Sequence, residues 1–231
     1  MEKFWIIYLI PCGLIIAYFL WCHYKNRRKK GNELTMPDQT VKDVEKKTKE
    51  DLQHTYDTVN SWLSNCDQKA GILLVVMGVA ITVLMTGDFL KFLREFIFSP
   101  FVQYCKGQND FSFSLGRFSV FLLLFVAAVM LIVSCCYLFQ AIRANIDYDK
   151  MRKENPSLVA KSYIYYGAIS GMKYDDFKKE DVDYNEDLKS QIYVNSKIAI
   201  TKFQNYNEGL FWFKLLLIVA VMLFVAVMFV H

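Results

Sequence analysis

The sequence predicts an all-α integral membrane protein, with four transmembrane helices, a membrane-proximal cytoplasmic helical region and an oligomeric assembly. Three observations lead there. The 231 residues are 54% hydrophobic with a positive mean hydropathy, and only 10 Gly and 4 Pro interrupt them. Such a balance belongs to a chain that keeps much of its length in lipid. Four stretches, Phe4–Cys22, Ala70–Thr86, Phe118–Ile142 and Leu210–Val230, reach or approach the roughly 20 apolar residues that a bilayer core of about 30 Å requires. The basic residues are also unevenly shared. Most of the 27 Lys and Arg fall in Tyr24–Lys69 and Arg143–Glu208, whereas Gly87–Arg117 carries only Lys91, Arg94, Lys106 and Arg117. Cytoplasmic loops are the basic ones, so the two richer segments are predicted inside. The N-terminus, the 87–117 loop and His231 then face outward.

The predicted division is an N-terminal transmembrane anchor (1–23), a cytoplasmic linker and helix (24–69), a transmembrane hairpin with an outer loop (70–142), a cytoplasmic helical and aromatic region (143–208) and a C-terminal transmembrane helix (209–231). The first span is read as a retained anchor. The charge before it is weak, Arg27-Arg28-Lys29-Lys30 follows it, and no small-x-small cleavage site is present. After the turn-like Gly31–Pro37, Thr40-Val-Lys-Asp43 reads as a capping box. Val41, Val44, Thr48, Leu52, Tyr56, Val59 and Leu63 then recur at helical spacing toward the second span. Lys42, Lys46, Lys47 and Lys49 lie off that stripe, as a solvated face near anionic lipid or as a basic face for a nucleotide.

The second span opens on Asp67 and Lys69. An ionisable residue at such a mouth is costly unless it is paired or faces water. Gly71, Gly78 and Thr82 follow near the same helical face, either for close helix packing or as a pore lining. Phe89–Phe98 is an amphipathic tail, and Pro100, Gly107–Asp110 and Gly116 mark the outer loop. The third span passes into Arg143–Lys150, expected to continue as helix until Pro156 breaks it. Lys161–Gly167 is an aromatic-rich loop or extended segment. Its Tyr163 and Tyr166 suit either base stacking or a small local core. Asp175–Lys179 and Asp181–Asp187 read as exposed. A last helix from about Asp183 carries Leu188, Ile192, Ile198, Ala199 and Phe203 at helical spacing, and joins the fourth span with Asn205, Asn207 and Gly209 as a bend.

No catalytic constellation is present: there is no GxSxG, P-loop, HExxH or Gly-rich dinucleotide turn. The six Cys have neither CxxC nor zinc spacing with His23, His54 or His231. No enzyme, metal, cofactor or structural disulfide is therefore predicted.

Three stretches carry a resemblance. Trp62-Leu-Ser-Asn-Cys-Asp67-Gln-Lys69-Ala70-Gly71 opens the second span, and Ser162-Tyr-Ile-Tyr-Tyr-Gly167-Ala-Ile169 lies in the aromatic segment. The most specific, Asp187-Leu-Lys-Ser-Gln191-Ile-Tyr-Val-Asn195-Ser-Lys197-Ile-Ala-Ile-Thr-Lys202-Phe203, leads into the last span. In this order they resemble the transmembrane effectors of the Pycsar anti-phage system, over roughly 41–230. The first span lies outside the likeness.

The resemblance implies a bacterial inner-membrane protein that answers a cyclic pyrimidine mononucleotide made by a partner cyclase, then impairs the membrane so that the infection aborts. A Hailong-type effector is the related possibility: a channel held shut by a single-stranded DNA oligomer from a nucleotidyltransferase. The regulatory ligand is thus a cyclic nucleotide or a short oligonucleotide. Asp67, Lys69, Tyr163, Tyr166, Gln191, Asn195, Lys197 and Lys202 are the ligand-binding or gating candidates; a hydrogen-bond network joining the two helices is the structural alternative. One chain offers few polar groups for an aqueous path, so a homo-oligomer around an axis is expected, with a tetramer favoured. A different class of function, a membrane scaffold or receptor subunit recruiting a cytoplasmic partner, fits the same segments.

Overall fold

A computed structural model describes residues 13, 16–18, 20–21, 24–25, 48–106, 115–143, 148–159, 162–179 and 183–230. The predicted Phe4–Cys22 span, the Thr40 capping box and the 107–114 part of the outer loop lie wholly or mostly outside them. Among the described residues every regular element is helical. Helix α1 spans Lys49–Leu84, α2 Gly87–Leu93 and α3 Ser99–Cys105, with a π-helical turn at Arg94–Phe98 between the last two. Helix α4 spans Leu115–Ile142, α5 Tyr148–Glu154, α6 Tyr166–Gly171, α7 Tyr174–Lys179 and α8 Tyr184–Val230. Helices α1, α4 and α8 are long and apolar enough to cross a membrane.

The chain falls into two compact units. Among the described residues from 48 onward, one comprises 74–106, 115–136 and 208–230; the other comprises 48–73, 137–143, 148–159, 162–179 and 183–207. The first is the apolar unit. Val120, Leu123 and Met130 of α4 are buried with Leu215, Val219 and Ala226 of α8, and Leu93 and Phe96 pack on the same cluster. In lipid the hydrophobic effect does not drive such helices together, so close packing and interhelical hydrogen bonds carry the association. The buried Ser134 hydroxyl donates to the Gly209 carbonyl at 2.8 Å. Phe92 stacks on Phe96 at 5.1 Å, and the Arg117 guanidinium sits 5.5 Å from the Phe96 ring.

Several local expectations are corrected. Thr48 does not lie within a helix running on from Thr40. It caps α1: its backbone N–H and hydroxyl donate to Asp51 Oδ2 at 3.1 and 2.7 Å, and the Asp51 N–H donates back to Thr48 Oγ1 at 3.2 Å. That satisfies donors a helix start leaves open. Pro100 lies inside an unbroken helical run from Gly87 to Cys105 rather than in a loop, directly after the π-helical turn at Arg94–Phe98. The third span stops at Ile142 with Arg143 in a bend, and 144–147 of the expected continuation lie outside the described residues. Gly167 lies inside α6 rather than ending a loop. Asn205, Asn207 and Gly209 remain within one hydrogen-bonded helix of 47 residues.

Candidate functional site

The polar unit is organised by two helices that run the same way. Asn195 of α8 donates through Nδ2 to Asn60 Oδ1 of α1 at 2.9 Å. Lys202 then meets Asp67, its Nζ donating to Oδ1 at 2.6 Å and to Oδ2 at 2.8 Å. Both pairs are separated by 135 positions. Each helix therefore advances by seven residues between contacts, from 60 to 67 and from 195 to 202. Equal advance in the same direction defines a parallel pair in heptad register, the geometry of a coiled-coil seam. Val59 and Cys66 on α1, and Val194 and Ala199 on α8, are the buried apolar residues around these polar rungs. Further toward the helix starts Leu52 and Leu188 are buried, and the Tyr184 hydroxyl donates to Gln53 Oε1 at 3.0 Å.

Lys202 is only 6% exposed, yet each proton of its ammonium has an acceptor. Besides the two Asp67 oxygens it donates to the carbonyl of Ile142 at 3.2 Å. A buried ammonium needs such complete provision. The Asp67 side chain is 41% exposed, so the pair is screened on that side. One lysine thereby joins α1, α8 and the C-terminus of α4, whose negative dipole end favours a cation.

A second polar cluster fastens the aromatic segment to α8. The Tyr163 backbone N–H donates to Asp187 Oδ2 at 2.7 Å, and the Val159 N–H to Ser190 Oγ at 3.2 Å. Gln191 Nε2 donates to the buried Ser162 hydroxyl at 3.1 Å. That hydroxyl oxygen also accepts the N–H groups of Ile164 and Tyr165. The Tyr163 hydroxyl donates to the Phe177 carbonyl at 2.8 Å, with the two rings 4.9 Å apart.

The structure thus brings Asp67 to Lys202, Asn195 to Asn60, and Gln191 to Ser162. Tyr163 serves the local core in these contacts, and Tyr166 opens α6. Lys69 is exposed, and Lys197 lies 5.4 Å from the Tyr193 ring on another face. Among the described residues Gly71 and Gly78 do not bring a second helix close: a methyl group at either would meet nothing within 4 Å. Thr82 donates to the Gly78 carbonyl of its own helix at 2.9 Å.

Sequence reasoning missed Asn60, Ile142, Ser162 and Asp187. The first needed its partner's register, and a backbone carbonyl leaves no mark in a sequence. Asp187 was expected to be exposed with its acidic neighbours. Instead it is fully buried, and its Oδ1 has no hydrogen-bond partner among the described residues.

These contacts sit where the comparisons with known proteins also fall. The profile of the Pycsar effector protein domain matches residues 51–230. The chain belongs to the Pycsar effector family. Among curated proteins, this effector is 29% identical over 181 residues to the "Pycsar effector protein GmPycTM" of Gulbenkiania mobilis, an alignment covering 73% of this chain and 87% of that protein. No solved structure matches it. Membership makes this Pycsar effector a membrane effector of anti-phage defence, in a family that responds to a cyclic-nucleotide signal from a cyclase. Asp67, Asn195 and Lys202 lie within the matched region; residues 1–50 lie outside it.

Proposed function

We propose that this Pycsar effector is a multi-pass protein of the bacterial inner membrane that opens a permeation path when a nucleotide acts on its cytoplasmic helices. Several copies, with four as the favoured number, surround the path. The ligand is a cyclic pyrimidine mononucleotide from a partner cyclase. The observation that carries the reading is the Asp67–Lys202 rung. It ties two helices that each continue, without a break, into an apolar stretch. A ligand that favours one arrangement of that pair shifts a two-state equilibrium by its difference in affinity for the two states. Loss of membrane integrity before phage mature is the outcome for the cell.

The test is flux from proteoliposomes containing the full chain. Cyclic CMP or cyclic UMP is expected to start release of a trapped ion. Flux that is present at the outset and stopped by single-stranded DNA oligomers would replace this ligand by the Hailong-type one. No flux under any of these conditions, with the protein inserted, would leave the scaffold or receptor reading in its place.

A further inference from the structure

Lys214 is the only Asp, Glu, Lys, Arg or His within Ala70–Leu84, Phe118–Ile142 or Leu210–Val230, the apolar runs of α1, α4 and α8. Its neighbour Leu215 is buried in the α4–α8 cluster, but Lys214 itself is exposed and makes no ion pair among the described residues. A lysine in a membrane helix is costly toward the centre, and such residues face water, a partner or the headgroups.

The positions at heptad intervals from Lys214 along α8 are all exposed: Tyr193, Ile200, Asn207, Val221 and Met228. This column suits neither solvent. Its polar half offers Tyr193 and Ile200, 39% and 45% exposed, where the surroundings are aqueous. Its apolar half offers the ammonium of Lys214. A lysine reaching back to the headgroups would explain Lys214 alone, and would give no reason for Ile200; the Tyr193 ring already lies 5.4 Å from the Lys197 ammonium. A neighbouring helix beside a wet axis accounts for both. Leu217 and Phe224, 50% and 67% exposed, interleave with Lys214, Val221 and Met228 at alternating three- and four-residue steps. That is the a/d spacing of a helix–helix seam, in which a lone polar residue at an a position sets register and oligomeric state.

We propose that the α8 columns of several copies meet around a common axis, where the Lys214 ammonium groups form a binding and transit site for small inorganic anions such as chloride. The site is incomplete in one chain, since each copy contributes one ammonium. Like charges brought together on an axis repel, and an anion between them relieves that repulsion. Rings of Lys or Arg are how pores favour anions. The inference deepens the permeation reading and rests on it.

Two measurements separate the seam from the path. Full-length protein in planar bilayers under a KCl gradient, with cyclic CMP and cyclic UMP present, should reverse near the chloride equilibrium potential. Lys214→Gln should move the reversal potential toward zero, Lys214→Glu should carry it to the potassium side, and Lys214→Arg should leave it in place. The same reversal potential in the wild type and in Lys214→Glu overturns the anion site and places the ammonium at the headgroups. The seam is tested without current, in a cysteine-free chain cross-linked in isolated membranes with copper phenanthroline. Val221→Cys should give covalent dimers, and Val79→Cys on the exposed face of α1 should not. Absence of the Val221→Cys dimer in protein that is present in the membrane overturns the seam. A dimer without wild-type current retains the seam and removes both the anion path and the permeation reading.

Discussion

Lys202 and Asp67 form a two-pronged contact in which the ammonium meets both carboxylate oxygens, at 2.6 and 2.8 Å. The two partners differ in burial, so their loss is not symmetric. Asp67→Ala strands an ammonium that is 6% exposed with one carbonyl for a partner, at a cost of roughly 3 kcal/mol. Lys202→Met leaves a carboxylate that is 41% exposed and can take up water, at about 1 kcal/mol. Thermal unfolding in detergent should therefore rank Asp67→Ala well below Lys202→Met. Equal losses would mean that the carboxylate is not the main support of Lys202.

The Asn60–Asn195 rung should trade stability for register. Replacing both by Leu removes a polar pair from a seam, and the doubly substituted protein should melt higher by a few degrees. A polar residue at such a position fixes alignment at a cost in stability. The nucleotide-triggered flux of the double variant should fall at least several-fold. Full flux with a raised melting temperature would show that the register of this pair is irrelevant to the response.

Asp187 is a hydrogen-bond acceptor before it is a charge. Asp187→Asn can keep an oxygen for the Tyr163 N–H, and should retain the fold of the aromatic segment. Asp187→Ala leaves that N–H without its acceptor, a loss on the order of 1–3 kcal/mol. Hydrogen exchange at the Tyr163 amide reads the difference, with fast exchange expected in the Ala variant alone.

Within the apolar unit, Ser134→Ala removes the hydroxyl bond to the Gly209 carbonyl. Interhelical hydrogen bonds in membranes average only about 0.6 kcal/mol. A drop of no more than a few degrees in melting temperature is expected, with flux retained. A collapse of assembly in this variant would assign the bond a far larger share of the α4–α8 contact than its chemistry supplies.

What was legible in the sequence follows from which forces are local. Apolar runs announce α1, α4 and α8 because lipid acts on each residue of a span separately. Asp67 and Lys202 stood out as charges close to such runs. A hydrogen-bond network joining their two helices was one of the two readings of these residues, but the pairing itself was not legible, since it depends on aligning two segments 135 positions apart and no periodicity within either segment encodes that offset. Asp187 was misplaced for a related reason: an Asp among Asp, Tyr, Asn and Glu looks solvated until an N–H from the aromatic segment is laid over it. The partner of the Ile142 carbonyl was hidden because it lies on Lys202, 60 positions later. Pro100 misled because proline ordinarily interrupts a helix, and the sequence does not announce the π-helical turn at Arg94–Phe98 that precedes it here.

The distance between Asp67 and Lys202 along the chain also sets a clock. A ribosome must add 135 residues after Asp67 before its counter-ion exists, roughly 7–27 s at about 5–20 residues per second. For that interval Asp67 has no Lys202 to meet and α1 lacks its parallel partner. Chains cut short before α8 carry neither the rung nor the helix that brings Lys214. Breaking off synthesis therefore releases an incomplete product, and only a chain extended past Lys202 can carry the contact on which the proposed response depends.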